Sequence, residues 1–189
     1  MSKPAKPIIL HGFKLSGHSH RAELLLRLLG LPFEFRMVDL PAGEQKGAAF
    51  LKLNPFGTVP VIEDDGFVLA DSVAILIYLA TKYDSGRTWL PLDPAGAAEI
   101  QRWLSVAQGP VYGGPCAARL VKLFGRELDY DRAKAAAEAL FSVLDAHLAG
   151  PSSWSAMHPP SPMSRFTVMS RRHRKATSPW FPILPSGHG

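Results

Sequence analysis

The sequence has little cysteine and no long apolar run, and each shortage excludes a class of protein. Cys116 is the single cysteine among 189 residues, so neither an internal disulfide nor a zinc or redox motif of paired cysteines can form. No window approaches the roughly 18 consecutive apolar residues of a membrane-spanning helix. The apolar stretch at residues 8–10 is too short for a secretory signal. We therefore expect a cytoplasmic protein that needs no metal and no membrane.

Acidic residues are missing from one part of the chain. Residues 151–189 contain five Lys or Arg, no Asp or Glu, 7 of the 17 prolines and 8 serines. The net charge of +5 therefore belongs to this C-terminal segment, and residues 1–150 are neutral. One interpretation of the segment is a disordered terminus rich in Pro, Ser and Arg. Another is a nucleic-acid or localisation patch at residues 171–175, although the neutral body argues against a nucleic-acid partner.

The first part of the body alternates strand and helix patterns in the order β-α-β-α-β-β-α over residues 7–83. Short apolar or alternating runs predict the strands, and a 3.6-residue apolar period predicts the helices. The predicted strands are 8–13, 33–38, 59–63 and 67–69, and the predicted helices are 21–29, 46–53 and 73–83. The last of these helices is apolar nearly all round and should be buried. The pattern indicates a small α/β unit.

From about residue 90 the patterns are helical only. Asp93-Pro94 opens a long predicted helix that runs through about Arg119, and Pro110 and Pro115 should kink it. A second amphipathic helix is predicted over residues 131–149. The chain therefore divides into an α/β part and an all-α part.

Two ordered stretches resemble the soluble glutathione transferases. They read LNPFGTVPVIEDDG at residues 53–66 and LADSVAILIYL at residues 69–79, and GEQK at residues 43–46 resembles the phi- and theta-like branch. The resemblance covers residues 7 to about 149. It implies an α/β thioredoxin-like N-terminal domain at 1–84 and an all-α C-terminal domain at 85–150 that is truncated.

The resemblance adds a third interpretation of residues 151–189. After a helix such as the one ending near Ala149, the family continues with a helix opened by a Ser/Thr-x-x-Asp capping signature. Residues 151–189 contain no aspartate, so this signature is missing. A shifted reading frame or another terminal replacement would explain the acid-free segment.

In this family the peptide bond that matches Val59–Pro60 is cis, whereas an ordinary turn proline would be trans. A cis bond would turn the Val59 N–H and C=O outward, where they could pair with the cysteinyl part of glutathione like a neighbouring strand. Thr58 occupies a position where the family often has Gln or Lys. The resemblance therefore assigns residues 58–60 to glutathione binding.

Asp71 and Ser72 begin the third predicted helix, whose N-terminus suits a carboxylate, while the Asp71 carboxylate suits an ammonium group. The resemblance assigns both residues to the γ-glutamyl end of glutathione, and simple N-capping is the alternative. Gln45 and Lys46 match the positions that hold the glycine carboxylate, although a surface lysine would also be solvated. Asp71 stands where family members usually have Glu, and Gln45 where they often have His.

The chemistry requires a hydroxyl at the start of the first helix to stabilise the glutathione thiolate, which is the nucleophile. No tyrosine or cysteine lies between residues 8 and 24. Ser16 is the first candidate, because serine-type members place the hydroxyl near the strand end, and Ser19 is the alternative. His18 and His20 either tune the field at the sulfur or are ordinary hydrogen-bonded residues of the first turn.

Trp103, Val106 and Tyr112 are candidates for a pocket that holds a small hydrophobic electrophile, or else they are core residues. The resemblance implies a glutathione transferase of serine type, with glutathione as co-substrate, a role in detoxification and a homodimeric state. The alternative function is a catalytically weak protein of the same fold that binds glutathione or another ligand, or a protein partner.

Overall fold

A four-stranded sheet organises the first part of the chain. The computed structural model describes residues 3–149, and its strands are β1 (Ile8–Gly12), β2 (Phe33–Met37), β3 (Val61–Asp64) and β4 (Phe67–Ala70). They lie in the order β2-β1-β3-β4, with β1 parallel to β2 and antiparallel to β3, and β3 antiparallel to β4. This is the predicted thioredoxin-like sheet.

Three helices follow the strands in the predicted order. They are α1 (Gly17–Leu28), α2 (Ala48–Leu53), which follows a 3₁₀ turn at Glu44–Lys46, and α3 (Ser72–Tyr83). Helix α1 starts four residues before the predicted Arg21, because the Ser16 side chain caps it by accepting from the Ser19 N–H. Strand β3 starts two residues after the predicted Val59, and Pro60 has no N–H to donate to a ladder.

The core lies on both faces of this sheet. Side chains of α1 and α3, including Leu26 and Ile75, pack with Ile8, Leu10 and Ile62. Phe50 of α2 belongs to a separate buried cluster with Val38 and Val61. Since successive strand residues point to opposite faces, Ile62 belongs to the cluster with α1 and α3, and Val61 belongs to the cluster with Phe50. Helix α3 was predicted to be buried, and residues 72–80 are buried or half-buried, whereas Thr81 and Lys82 in its last turn are exposed.

A buried carboxylate ties the end of β3 to α3. Asp64 is 1% exposed and accepts hydrogen bonds from Tyr78 Oη, Lys82 Nζ and Tyr83 Oη at 2.8–3.0 Å. Burial by itself raises the pKa of Asp64, but these hydrogen bonds outweigh it and leave the pKa below its ordinary value.

The long helix predicted from Asp93 is divided. Helix α4 (Pro94–Gln108) is capped by the Asp93 side chain and ends at Gly109, and a π-helical turn occupies Tyr112–Cys116. Helix α5 (Ala117–Phe124) begins after it. Pro110 and Pro115 explain the division, since each lacks the N–H that a continuous helix would use.

The described chain forms two compact units, one up to Tyr112 and one from Gly113. The structure changes from α/β to all-α after α3, near the domain boundary predicted at residue 84. Helix α4, which was predicted to belong to the second domain, lies in the first compact unit. The second unit contains α5 and α6 (Tyr130–Ala149). Gly114 packs closely on α6, because a Cβ at this position would lie 3.0 Å from the Ala137 nitrogen.

The interpretations of residues 151–189 lie outside the described residues. Among residues 3–149, no helix is long and apolar enough to cross a membrane.

Candidate functional site

The register of the sheet brings three chain segments to one edge. Gly12 ends β1 opposite Met37, which ends β2. His11 pairs with Val61, which opens β3, and Val61 pairs with Ala70, which ends β4. The segments that follow β1 and β4 therefore start from the same edge, and segment 38–60 between β2 and β3 both starts and ends there. These three segments contain the residues predicted to act on glutathione: Ser16, Gln45, Lys46, Thr58, Val59, Pro60, Asp71 and Ser72.

At the start of α1 the two candidate serines have different surroundings. Ser16 is half-buried, and its Oγ accepts a hydrogen bond from the Ser19 N–H at 3.2 Å. This bond uses an oxygen lone pair and leaves the hydroxyl proton able to be donated. Ser19 is 1% exposed, accepts from the Phe13 N–H at 3.2 Å and packs against Gly12. The geometry favours Ser16 as the hydroxyl available to a ligand.

The loop before β3 is held by a residue whose role the sequence analysis missed. Asn54 is 2% exposed, and its Nδ2 donates to the Thr58 carbonyl and hydroxyl oxygens at 2.8 and 3.0 Å. Its Oδ1 accepts from the Phe56 N–H at 3.1 Å. The Val59–Pro60 bond that follows is cis, as the resemblance implied. No local pattern predicts this role of Asn54, since its loop contacts depend on the fold of residues 54–58.

At the start of α3, Asp71 caps the helix as the local pattern suggests. Its Oδ1 accepts from the Val73 and Ala74 N–H groups at 2.8 and 2.9 Å. Its Oδ2 accepts from Gln108 Nε2 of α4 at 3.3 Å, a contact between residues 37 positions apart that no local signal announces. Ser72 is 2% exposed.

His18 connects the starts of α1 and α3. Its Nδ1 lies 3.1 Å from Ser72 Oγ, and its ring centroid lies 6.1 Å from that of Tyr112. Burial lowers the pKa of His18, Arg21 lowers it further, and Asp71 opposes both. A histidine with a lowered pKa is neutral near pH 7.

The glycine-carboxylate candidates stand beside the loop before β3. Lys46 is exposed, and its Nζ donates to the Phe56 carbonyl at 3.1 Å. The side-chain oxygen of Gln45 is buried without a hydrogen-bond partner. Gly57 has a φ of 59°, and a Cβ there would lie 2.8 Å from the Gln45 carbonyl oxygen and 2.9 Å from Lys46 Nζ. Glycine at this position therefore lets the two segments touch.

The three candidates for the electrophile pocket differ in their exposure and in their contacts. Trp103 and Val106 are half-buried on α4, and Trp103 Nε1 donates to Glu99 one turn earlier at 3.1 Å. Tyr112 is 51% exposed, and its ring centroid lies 6.1 Å from that of His18 near the start of α1. Within residues 3–149 no cluster of His, Cys, Asp and Glu could hold a metal ion.

Comparison with known proteins gives a consistent result. The family model described as "Glutathione S-transferase, N-terminal domain" matches residues 15–82. Glutathione S-transferase 3 of Zea mays is 40% identical over 152 residues, which covers 76% of this chain and 68% of the maize protein. Glutathione S-transferase theta-1 of Bos taurus is 43% identical over 75 residues, so the chain covers 31% of that relative's length.

A solved structure of a glutathione transferase homolog from Drosophila mojavensis with bound glutathione matches with a TM-score of 0.70. It is 25% identical, and the match covers 92% of this chain and 89% of that chain. The chain thus spans about two thirds of the length of the maize protein and a third of the bovine one. With this fold, this sheet edge and this extent of identity, the chain belongs to the glutathione S-transferase family.

Proposed function

We propose that the chain binds glutathione along the described sheet edge and conjugates its thiolate to small electrophiles, with the Ser16 hydroxyl stabilising the thiolate. The observation that carries this proposal is the register of the sheet, which gathers Ser16, the Val59–Pro60 bond and the Asp71–Ser72 helix start at one edge. The family membership of the chain supports the same reaction.

The energetics of thiol ionisation are sufficient without a general base. A glutathione thiol, like free cysteine, ionises above neutral pH, and lowering its pKa by about two units takes about 2.7 kcal/mol. A hydrogen bond to a charged group supplies about 1.5–3 kcal/mol. The N-terminus of α1 adds about 0.3–2 kcal/mol. Ser16 is suited to this role because its oxygen is already oriented by the Ser19 N–H.

The other ends of the tripeptide have partners on the same edge. The main chain of Val59 and the neighbouring Thr58 would pair with the cysteinyl part, and Asp71 and Ser72 with the γ-glutamyl ammonium and carboxylate groups. Gln45 and Lys46 would receive the glycine carboxylate. The side-chain oxygen of Gln45 is buried, and the amide N–H groups of the same side chain would donate to the carboxylate. Trp103, Val106 and Tyr112 are proposed to line the electrophile pocket.

The test compares Ser16→Ala with Ser19→Ala as the matched control. Turnover of a chromogenic aryl halide with glutathione should fall about tenfold to a hundredfold in Ser16→Ala, because the loss of a hydrogen bond to the thiolate costs about 1.5–3 kcal/mol. The pKa of the bound thiol, read from thiolate absorbance, should rise in the same variant. Affinity for S-methylglutathione, which has no thiol, should stay within a few-fold.

The outcomes separate this proposal from its rivals. Loss of turnover in Ser19→Ala with turnover kept in Ser16→Ala would reassign the hydroxyl to Ser19. Glutathione binding without turnover in the unchanged chain would favour the alternative function, a catalytically weak protein that binds glutathione, another ligand or a protein partner. We further propose a cytoplasmic homodimer with a role in detoxification, and sedimentation of the full chain tests its oligomeric state.

A further inference from the structure

We propose that His18 positions the Ser72 hydroxyl for the γ-glutamyl carboxylate of glutathione, and that His18 takes up a proton when this carboxylate binds. The inference rests on the proposed function, and it assigns to His18 a role in that site. His18 and Ser72 meet where the first turns of α1 and α3 are in contact.

The geometry makes His18 the partner of the Ser72 hydroxyl. Ser72 is 2% exposed, and its Oγ lies 3.1 Å from His18 Nδ1. A neutral imidazole carries one N–H, and a hydroxyl both donates and accepts. When Nδ1–H donates to Ser72 Oγ, the Ser72 proton is directed away from His18 and can reach a ligand oxygen. The opposite tautomer would consume that proton and leave the ligand without this donor, since the Val73 and Ala74 N–H groups already donate to Asp71.

The surroundings of His18 couple it to a bound anion. The charged groups that act on it are Arg21 on its own helix and Asp71 at the start of α3, and the centroid of the Tyr112 ring lies 6.1 Å from that of His18. Burial keeps the pKa of His18 low in the free protein. A carboxylate at Ser72 adds a negative charge within a few ångströms and raises the pKa of His18, since an opposite charge favours the ionised form.

The sign of the pH effect follows from this difference. The pKa of His18 is lower in the free protein than in the complex, so binding takes up a proton at pH values between the two. Affinity therefore increases as the pH falls from the bound pKa to the free pKa and is constant below it. A shift of about half a unit to one unit corresponds to about threefold to tenfold in affinity. Protonation keeps Nδ1–H, so the bond to Ser72 survives it.

The experiment is calorimetric titration of the full chain with S-methylglutathione between about pH 5.5 and 7.5, where histidine titrates. This ligand is chosen because it has no thiol whose ionisation would mask the effect. Measurement in two buffers of different ionisation enthalpy gives the number of protons taken up. We expect net proton uptake and tighter binding at lower pH in the unchanged chain.

Variants separate the hydrogen bond from the charge. In His18→Asn the side-chain amide still offers a donor near the position of Nδ1 but cannot titrate. It should keep the affinity at pH 7.5 within about twofold and lose the proton uptake. In His18→Leu both are lost, and affinity should fall about threefold to tenfold, as expected for one hydrogen bond. Neither change should have a further effect on affinity at pH 7.5 in a Ser72→Ala background. His20→Asn is the matched control, because His20 is exposed, and it should behave like the unchanged chain.

Several results would overturn the inference. Equal affinity and equal proton uptake in His18→Leu and the unchanged chain would do so, as would equal loss of affinity in His18→Asn and His18→Leu. If His18→Leu does not fold, the pH dependence of His18→Asn still decides the matter. An unchanged chain that does not bind S-methylglutathione at all would contradict the proposed function itself. Binding without proton uptake would contradict only the role of His18.

Discussion

Replacement of Gly57 by alanine tests whether the loop before β3 supports the glycine-carboxylate segment. Gly57 has a φ of 59°, and a Cβ would lie 2.8 Å from the Gln45 carbonyl oxygen, whereas ordinary contact begins at 3.4 Å. The two groups would have to separate by the difference of about 0.6 Å. A shift of residues 45–46 would also disturb the hydrogen bond from Lys46 Nζ to the Phe56 carbonyl.

The magnitude follows from two separate costs. A left-handed alanine costs roughly 1–2 kcal/mol, from which about 0.4–1 kcal/mol is recovered because alanine has less freedom in the unfolded chain. Overpacking adds about 1–3 kcal/mol. Gly57→Ala should therefore lower the free energy of unfolding by about 2–4 kcal/mol. Gly30→Ala is the matched control, since Gly30 has a φ of 63° and a Cβ there would meet no atom within 4 Å, and it should cost about 1 kcal/mol.

Urea denaturation followed by tryptophan fluorescence gives both free energies of unfolding. Calorimetric titration with S-methylglutathione then reports on the site, where Gly57→Ala should weaken binding several-fold and Gly30→Ala should not. Equal losses of stability in the two variants, with unchanged binding in both, would refute the close contact between Gly57 and residues 45–46.

Two other changes test the framework around the site. Asp64→Asn should cost about 2–3 kcal/mol, because it weakens hydrogen bonds from charged and phenolic donors to a buried carboxylate. The pKa of Asp64 is lowered in the folded state, so its contribution is present above the unfolded pKa of about 3.9 and is lost as the pH falls through the folded pKa. The free energy of unfolding of Asp64→Asn should therefore depend less on pH in the acidic range than that of the unchanged chain. An equal pH dependence in the two proteins would refute this. Asn54→Ala should cost about 2–3 kcal/mol, because it leaves the Thr58 carbonyl without its donor, and it should weaken S-methylglutathione binding. A thermal melt matching that of the unchanged chain would contradict it.

Much of the fold could be predicted from local patterns. The seven elements of the α/β part were predictable because alternation and 3.6-residue periodicity report which face of each element is buried. Caps and stops were also local, as at Asp71 and at Asp93. The start of β3 and the end of α4 were less predictable, and both lie close to a proline. In a helix, proline allows either a kink or a break, and the outcome depends on neighbouring residues.

The candidate site depended more on tertiary structure. Ser16 and Ser19 both lie near the start of α1, and the sequence could rank them only by resemblance. Their environments differ because Ser19 packs against Gly12 of β1, while Ser16 caps the helix. A choice of this kind depends on which side of the helix faces the sheet.

By itself, the sequence determined which elements form, in which order, and which family they resemble, because these properties depend on residues close together in the chain. Only the tertiary structure decided that His18 contacts Ser72, that Gln108 contacts Asp71, and that Gly57 packs against Gln45. These pairs are separated by 12 to 54 positions. Such contacts are fixed by strand register and helix packing, which no local pattern encodes.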